Sequence, residues 1–296
     1  MATSIINRST PHAVALETTL LVHGVPKDAA RPLAAELDSI ITAHGARPAT
    51  VGVVGGRGVV GLNSEELSLL LEAPAVPKAN TGNLGLLLRS GSHAATTVSA
   101  TMELAAGAGV RVFATGGIGG VHKNYGARWD VSADLAALTR FPVAVVASGV
   151  KNLLDVVATR EMLETLGVPV IGFGSDRFPA FYRRESEAGV DGRFDDPDEL
   201  AAFLDAELAR TGRGVLVCNP IPAEDEIPQG RWDEWLLQAE TRASESGATG
   251  RAVTPAVLSA LHQISDGATL RANLALVRSN AALAARLAAR IPPRTP

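Results

Sequence analysis

Six short apolar runs, at residues 13–16, 49–54, 110–114, 143–147, 168–173 and 215–219, are separated for most of the chain by stretches with helical signals. This alternation constrains the fold more than any other feature. A run that is apolar at nearly every position, rather than at every second one, suits a strand covered on both faces, and such strands build parallel or mixed sheets with helices over them. The expected class is therefore α/β. The spacers support it: Leu33, Leu37, Ile40 and Ile41 share one face of a helix that ends at Gly45, where glycine accepts the left-handed cap conformation. Asp196-Pro197-Asp198-Glu199 combines a capping aspartate with proline at the first helical position, and Thr254-Pro255 repeats the signal. From about Trp232 onward the pattern is helical without strands. No linker and no internal repeat breaks the chain, so one domain is expected over residues 1–290, followed by a disordered tail at 291–296.

The chain has 296 residues, 46% of them hydrophobic, enough for one large core or two small ones. Charged residues make up 20% and are interspersed, with a net charge of -4, which argues against a nucleic-acid polymer or an anionic membrane as partner. No stretch approaches the ~20 apolar residues of a membrane helix, and the N-terminus lacks the apolar core of a signal peptide. The single cysteine, Cys218, follows an apolar strand and fits a buried thiol in a reducing cytoplasm.

Chemistry-bearing residues collect just after the predicted strands. The GRGVVG match at 56–61 fits a hairpin around a Gly-Arg-Gly turn better than a dinucleotide fingerprint, because no helix follows directly; the next helix is capped by Asn63, with Glu66 three residues on. In FATGGIGGVHKN, residues 113–124, the paired glycines suit either close approach of backbone amides to a ligand or a tight structural turn, with His122 and Lys123 at the far end. In DVSADL, residues 130–135, Ser132 is an N-cap and Asp134 favours the positive end of its helix; Asp130 is left over, able to hold a hard divalent cation only if water supplies most of the ligands. Lys151 stands between the turn Ser148-Gly149-Val150 and a helix expected over 152–167. Its amine has three readings: a desolvated nucleophile, a charged phosphate ligand, or a surface lysine. Glu17 closes its strand among apolar neighbours, where a raised pKa suits a general acid. Lys78 lies in the loop VPKAN, and Thr96-Thr97 mark a helix start whose amides and hydroxyls suit an anion.

Taken in order, ALETTLLVHGVP, GARPATVGVVGG, ATTVSATM, FATGGIGGVHKN, DVSADL, ASGVKNLLD, NPIP and LRANLALVRSN resemble the pseudouridine-5'-phosphate glycosidases, which include the indigoidine-cluster A proteins, from about Val14 to Ala285. The resemblance implies a three-layer α/β/α sandwich around a mixed sheet, usually trimeric, that reversibly splits the C–C glycosidic bond of pseudouridine 5'-phosphate into uracil and ribose 5-phosphate. It further implies that Lys151 forms an imine with C1' of the ring-opened ribose and that Glu17 is the proton donor. Asp130 would hold manganese, or another hard divalent cation, largely through water. Lys78, Val98 and Ser132, Ala133 and Asp134 match substrate-binding positions, Asn273 an asparagine near the uracil, and His122 an active-site histidine. A carbon leaving group has no lone pair to protonate, which is why an iminium at C1' is needed beside an acid that protonates the uracil carbon. Two departures stand out. Lys78 is followed by Ala79-Asn80-Thr81-Gly82-Asn83, where the family carries a Ser-Arg-Arg-Asp-like segment, and Lys123-Asn124 replaces Arg-Gly. The neutral loop leaves open a relative that joins ribose 5-phosphate to another acceptor; a non-catalytic sugar-phosphate sensor is disfavoured because every chemical group is retained.

Overall fold

A computed structural model describes residues 5–123, 125–126, 129–245 and 253–293, with the side chains of residues 253–256, 258 and 259 left aside. Among these residues eleven strands form one mixed sheet. Its central path runs Arg47–Val54, Ala13–Glu17, Val112–Ala114, Ala144–Ala147, Val215–Cys218, Val170–Phe173 and Gly192–Phe194, all parallel. All six predicted runs are strands of this sheet. The GRGVVG segment is the expected hairpin, Arg57–Val60 pairing antiparallel with Arg47–Val54, but its turn is Gly55-Gly56, both at positive φ, with Arg57 already in the strand.

Alternate residues of each central strand feed different cores. Val14, Leu16, Val112, Ala114, Ala144, Val146, Val215 and Val217 meet the helices Lys27–Ala43, Pro197–Thr211 and Ala268–Ala288 on one face. Ala15, Phe113, Val145, Ala147, Leu216 and Cys218 meet Val98–Gly107, Ala133–Leu138 and Val156–Thr165 on the other. Burial on both faces is the reason these strands read as continuous apolar runs. The result is the expected three-layer sandwich, with helices Gln229–Glu245, Val253–Ile264 and Ala268–Ala288 forming the strandless C-terminal part.

Local signals act where expected. Asn63 and Glu66 form a reciprocal capping box, Asp196 accepts from the amides of Asp198 and Glu199, and Gly45 takes φ +82° just past the helix Lys27–Ala43. Three expectations need correction. The helix after Lys151 starts at Val156, not at 152, because Leu154-Asp155 first pairs antiparallel with Val121-His122 and Asp155 then caps the helix through Ala158 N. The Thr254-Pro255 signal falls one residue inside Val253–Ile264. Residues 291 and 292 are not a disordered tail, since Ile291 is buried and the Pro292 carbonyl accepts from Arg111; residues 294–296 and Asn124 lie outside the described residues. No described helix is long and apolar enough to cross a membrane.

Candidate active site

Four adjacent parallel strands end, in spatial order, on Glu17, Thr115, Ser148 and Asn219. The carboxyl edge of an open α/β sheet is where ligands collect, since the strands stop there and the helices leave a crevice. One side chain from above ties this row together. Asn280, fully buried on the helix Ala268–Ala288, donates through Nδ2 to the Thr115 carbonyl at 2.8 Å and to Ser148 Oγ at 3.1 Å, while its Oδ1 accepts from Asn219 Nδ2 at 2.9 Å. Neither Asn280 nor Thr115 was singled out from the sequence. The signal was present for Asn280: it sits in register with Leu276, Leu283, Ala284 and Leu287, a polar residue on an otherwise apolar stripe.

Glu17 is the buried acid of the row. Thr115 Oγ1 donates to its Oε1. Burial raises the Glu17 pKa, the nearby Asp134 charge pushes the same way, and the Lys151 charge, the Thr115 hydrogen bond and the Lys78 charge oppose it. Desolvation dominates, as expected for a carboxyl at a strand's end among apolar neighbours. The same three charges meet at Lys78, whose pKa is lowered by partial burial and by Lys151, against the pull of Glu17. Glu17, Lys78 and Lys151, 134 positions apart at the extremes, thus share one electrostatic neighbourhood.

Lys151 itself is exposed, so the desolvation that the nucleophile reading required is not provided by the protein alone. Its backbone is held firmly instead. Lys151 N donates to the Ile118 carbonyl, and the segment 178–182 clamps the preceding turn: Phe181 N donates to Ser148 O at 2.8 Å, Ala180 bridges Gly149, and Tyr182 N donates to Asn152 Oδ1 at 2.9 Å. Gly149 is at φ +72°, and a Cβ there would fall inside the Pro179 carbonyl oxygen. Phe181 takes φ +58°, a strained value for an aromatic residue, over-determined here by its contacts with Gly116 and Gly117. The paired glycines serve packing. A Cβ at Gly119 would run into Ser132 and Asp134, and one at Gly120 into Thr159, so these residues let the loop lie against its own neighbours and none of Gly116, Gly117, Gly119 and Gly120 has positive φ.

The remaining predicted residues divide. Asp134 is buried in the first turn of its own helix, and its carboxylate also reaches across to the Ser99 amide at 3.0 Å, at the start of the neighbouring helix, and to the Gly119 amide at 2.8 Å. Ser132 caps that helix through Asp134 N, with Ala133 as the first helical residue. Thr96 is buried with its hydroxyl donating to Val51 O and accepting from Thr101, so it knits the core and offers nothing to an anion. Thr97 caps by position without a side-chain bond to a helix amide, its hydroxyl donating to Ala79 O and lying 3.4 Å from Ser99 Oγ, and Val98 opens the helix. Asn273 is half-buried, and its side-chain amide has no hydrogen-bond partner among the described residues. The loop 80–83 spends its polar groups on itself: Asn80 Oδ1 accepts from Gly82 N and Asn83 N, and Asn83 Nδ2 donates to the Lys78 carbonyl at 3.0 Å. Cys218 is buried, and burial pushes its thiol pKa upward, which removes it as a nucleophile.

His122 and Asp130 lie beside the lysine turn, His122 pairing with Leu154. His122 N donates to Asp130 O at 3.0 Å, and an Asp130 carboxylate oxygen lies 3.9 Å from His122 Nδ1. Among the described residues no cluster of three or more His, Cys, Asp or Glu side chains surrounds a metal position. An exposed lone carboxylate fits a hard cation that keeps most of its waters, and does not fit a cage of protein ligands.

The indigoidine synthase A like protein family model matches residues 3–290. A pseudouridine-5'-phosphate glycosidase of Symbiobacterium thermophilum is 43% identical over 288 residues, covering 96% of this chain and 93% of its own. An indigoidine synthase A-like protein of Thermotoga maritima superposes with a TM-score of 0.88 at 35% identity, covering 98% of this chain and 97% of that one. The prealnumycin C-glycosynthase AlnA, solved with ribulose 5-phosphate, superposes with a TM-score of 0.87 at 34% identity, covering 94% of this chain and 91% of that one. With the fold, the strand-end row and a match along nearly its whole length, the chain belongs to the indigoidine synthase A like family.

Proposed function

We propose that this protein is an enzyme that reversibly cleaves pseudouridine 5'-phosphate, with water, to uracil and ribose 5-phosphate. The observation that carries the reading is the buried acid Glu17, held by Thr115, within electrostatic reach of the two amines Lys78 and Lys151. The names of the relatives support the substrate. Lys151 Nζ, once it has lost a proton, bonds to C1' as the C1'–O bond breaks and the ribose ring opens; the new secondary ammonium gives a proton to the ring oxygen, which leaves the nitrogen a lone pair. The nitrogen lone pair then forms the C=N bond as the C–C bond to the base breaks. The bonding pair goes to the uracil carbon, which takes its proton from Glu17, and water hydrolyses the imine to return the lysine and ribose 5-phosphate. Burial, which raises the Glu17 pKa, favours the protonated carboxyl that this step needs.

Lys78 and the first-turn amides beside Thr97 and Val98 bind the phosphate, as a cation and a helix N-terminus do together. The Ser132–Asp134 turn, through Asp134 on Ser99 and Gly119, holds that helix start in place. Asn273, whose amide has no partner among the described residues, faces the base. Asp130, with His122 beside it, holds a hydrated manganese or similar ion, which supplies positive charge and ordered water. A homotrimer and a cytoplasmic setting belong to the same proposal.

The test is turnover: uracil and ribose 5-phosphate should appear in equal amounts from pseudouridine 5'-phosphate, and Lys151→Ala should abolish both. No uracil at any enzyme concentration would contradict the reading. A second reading, joining ribose 5-phosphate to a different acceptor, is favoured by the neutral loop 80–83 and the likeness to the C-glycosynthase AlnA. It predicts faster product formation from ribose 5-phosphate and another planar acceptor than from uracil.

A further inference from the structure

Trp129 is 87% exposed, the most exposed of the large apolar side chains, and its ring stacks on Tyr125 with centroids 6.2 Å apart and planes 24° from parallel. An indole left in water beside a second ring presents a flat apolar face on which no described residue packs. Its place in the fold decides what that face is for. Trp129 directly precedes Asp130, whose carbonyl accepts from His122 N, and Val131 bridges Val121. Val121-His122 in turn pairs with Leu154-Asp155, and Leu154 N donates to the Lys151 carbonyl. Two short pairings therefore tie Asp130, the neighbour of Trp129, to the lysine turn. Lys78 approaches from elsewhere, on the strand pair beside Arg47–Val54.

A substrate whose phosphate sits at Lys78 and whose reacting carbon sits at Lys151 must carry its third part, a planar heteroaromatic base, onward from the lysine. The other aromatic rings by the lysine turn have no face to offer. Phe181 is buried against Gly116 and Gly117, and Tyr182 packs between Phe181 and Trp232. We propose that the Tyr125–Trp129 pair is the platform on which the nucleobase stacks, making Trp129 a specificity-determining residue on the base side of the site. This rests on the pseudouridine 5'-phosphate reading and adds to it a residue pair that selects planar bases by their faces. Stacking of a base on an aromatic side chain is tolerant of base identity, because every base has a π-face, so the platform would accept related heterocycles while Asn273 discriminates among their edges.

Running the reaction in the synthetic direction separates the two ends of the substrate. In Trp129→Ala the KM for uracil should rise about tenfold, equivalent to about 1.4 kcal/mol, while the KM for ribose 5-phosphate stays within twofold. Trp129→Phe, which keeps a flat ring, should restore most of the uracil affinity. Because the side chain is exposed, the thermal midpoint should not move. An unchanged uracil KM in Trp129→Ala would overturn the platform while leaving the function standing. So would equal rises in both KM values with loss of the oligomer, which would make Trp129 a subunit contact. Wild-type protein that neither forms nor cleaves pseudouridine 5'-phosphate would overturn the substrate reading first, and the platform with it.

Discussion

Replacing Asn280 with alanine should damage stability and catalysis together, by amounts that its hydrogen bonds set. The substitution strands two buried groups, the Thr115 carbonyl and the Ser148 hydroxyl; Asn219 keeps a partner in Ser279 Oγ at 2.9 Å. A buried polar group left without a partner costs about 1–3 kcal/mol, so the total loss should be about 2–6 kcal/mol, with less if water enters the cavity. Urea denaturation measures it as a lower midpoint at an unchanged slope. Thr115 also holds the Glu17 carboxylate, and Ser148 opens the turn that carries Lys151, so kcat should fall by about 100-fold, the scale expected when reacting groups drift by about 1 Å. Ser148→Ala added to Asn280→Ala should cost less than the sum of the two, since the pair shares a bond. A stability loss below about 1 kcal/mol with wild-type kcat would refute the claim that this asparagine is the strut joining three of the four strand ends.

Glu17→Gln and Asp130→Ala test the other two corners. The Glu17 pKa is raised by burial above its ordinary value of 4.5, so the folded state holds the proton longer than the unfolded chain does. Its contribution to stability is therefore greatest at low pH and is lost as pH rises from that ordinary value through the folded one. Glu17→Gln, which cannot ionise, should thus gain on the wild type over that same climb in pH while losing turnover; a stability gap independent of pH would show that the carboxyl is not held protonated by burial. Asp130→Ala should leave the fold intact and make turnover dependent on excess divalent cation, or abolish it. Full activity in metal-depleted buffer, in both this variant and the wild type, would remove the cation from the mechanism.

The fold was legible because its strongest signals are local. Six apolar runs, the Asn63 and Asp196 caps and the glycine past Ala43 each act within a few residues, and each is where it was expected. The site was legible only in part. Glu17 at a strand's end carries its own explanation, since the neighbours that desolvate it are its own strand and those beside it. The character of the glycine loop is decided by Ser132, Asp134, Thr159 and Phe181, up to about sixty positions away, and spacing alone does not tell a glycine facing a ligand from one facing a threonine. Residues 152–155 were expected to open the helix, yet the pairing of Leu154-Asp155 with Val121-His122 wins for one more turn of chain. Thr96 was misread for a related reason: a threonine at a helix start looks like an anion ligand until its neighbours Thr18 and Thr101 claim the hydroxyl. Asn280 was the missed clue, a lone amide on an apolar stripe, which in a buried helix demands partners.

The most direct test of the central claim is chemical trapping. The wild-type protein, incubated with ribose 5-phosphate and quenched with borohydride, should gain the mass of one reduced sugar phosphate per chain, and digestion should place it on the peptide containing Lys151. The same label on Lys78, whose amine has a pKa lowered by partial burial, or no label under conditions where the enzyme turns over, would contradict the assignment of Lys151 as the nucleophile.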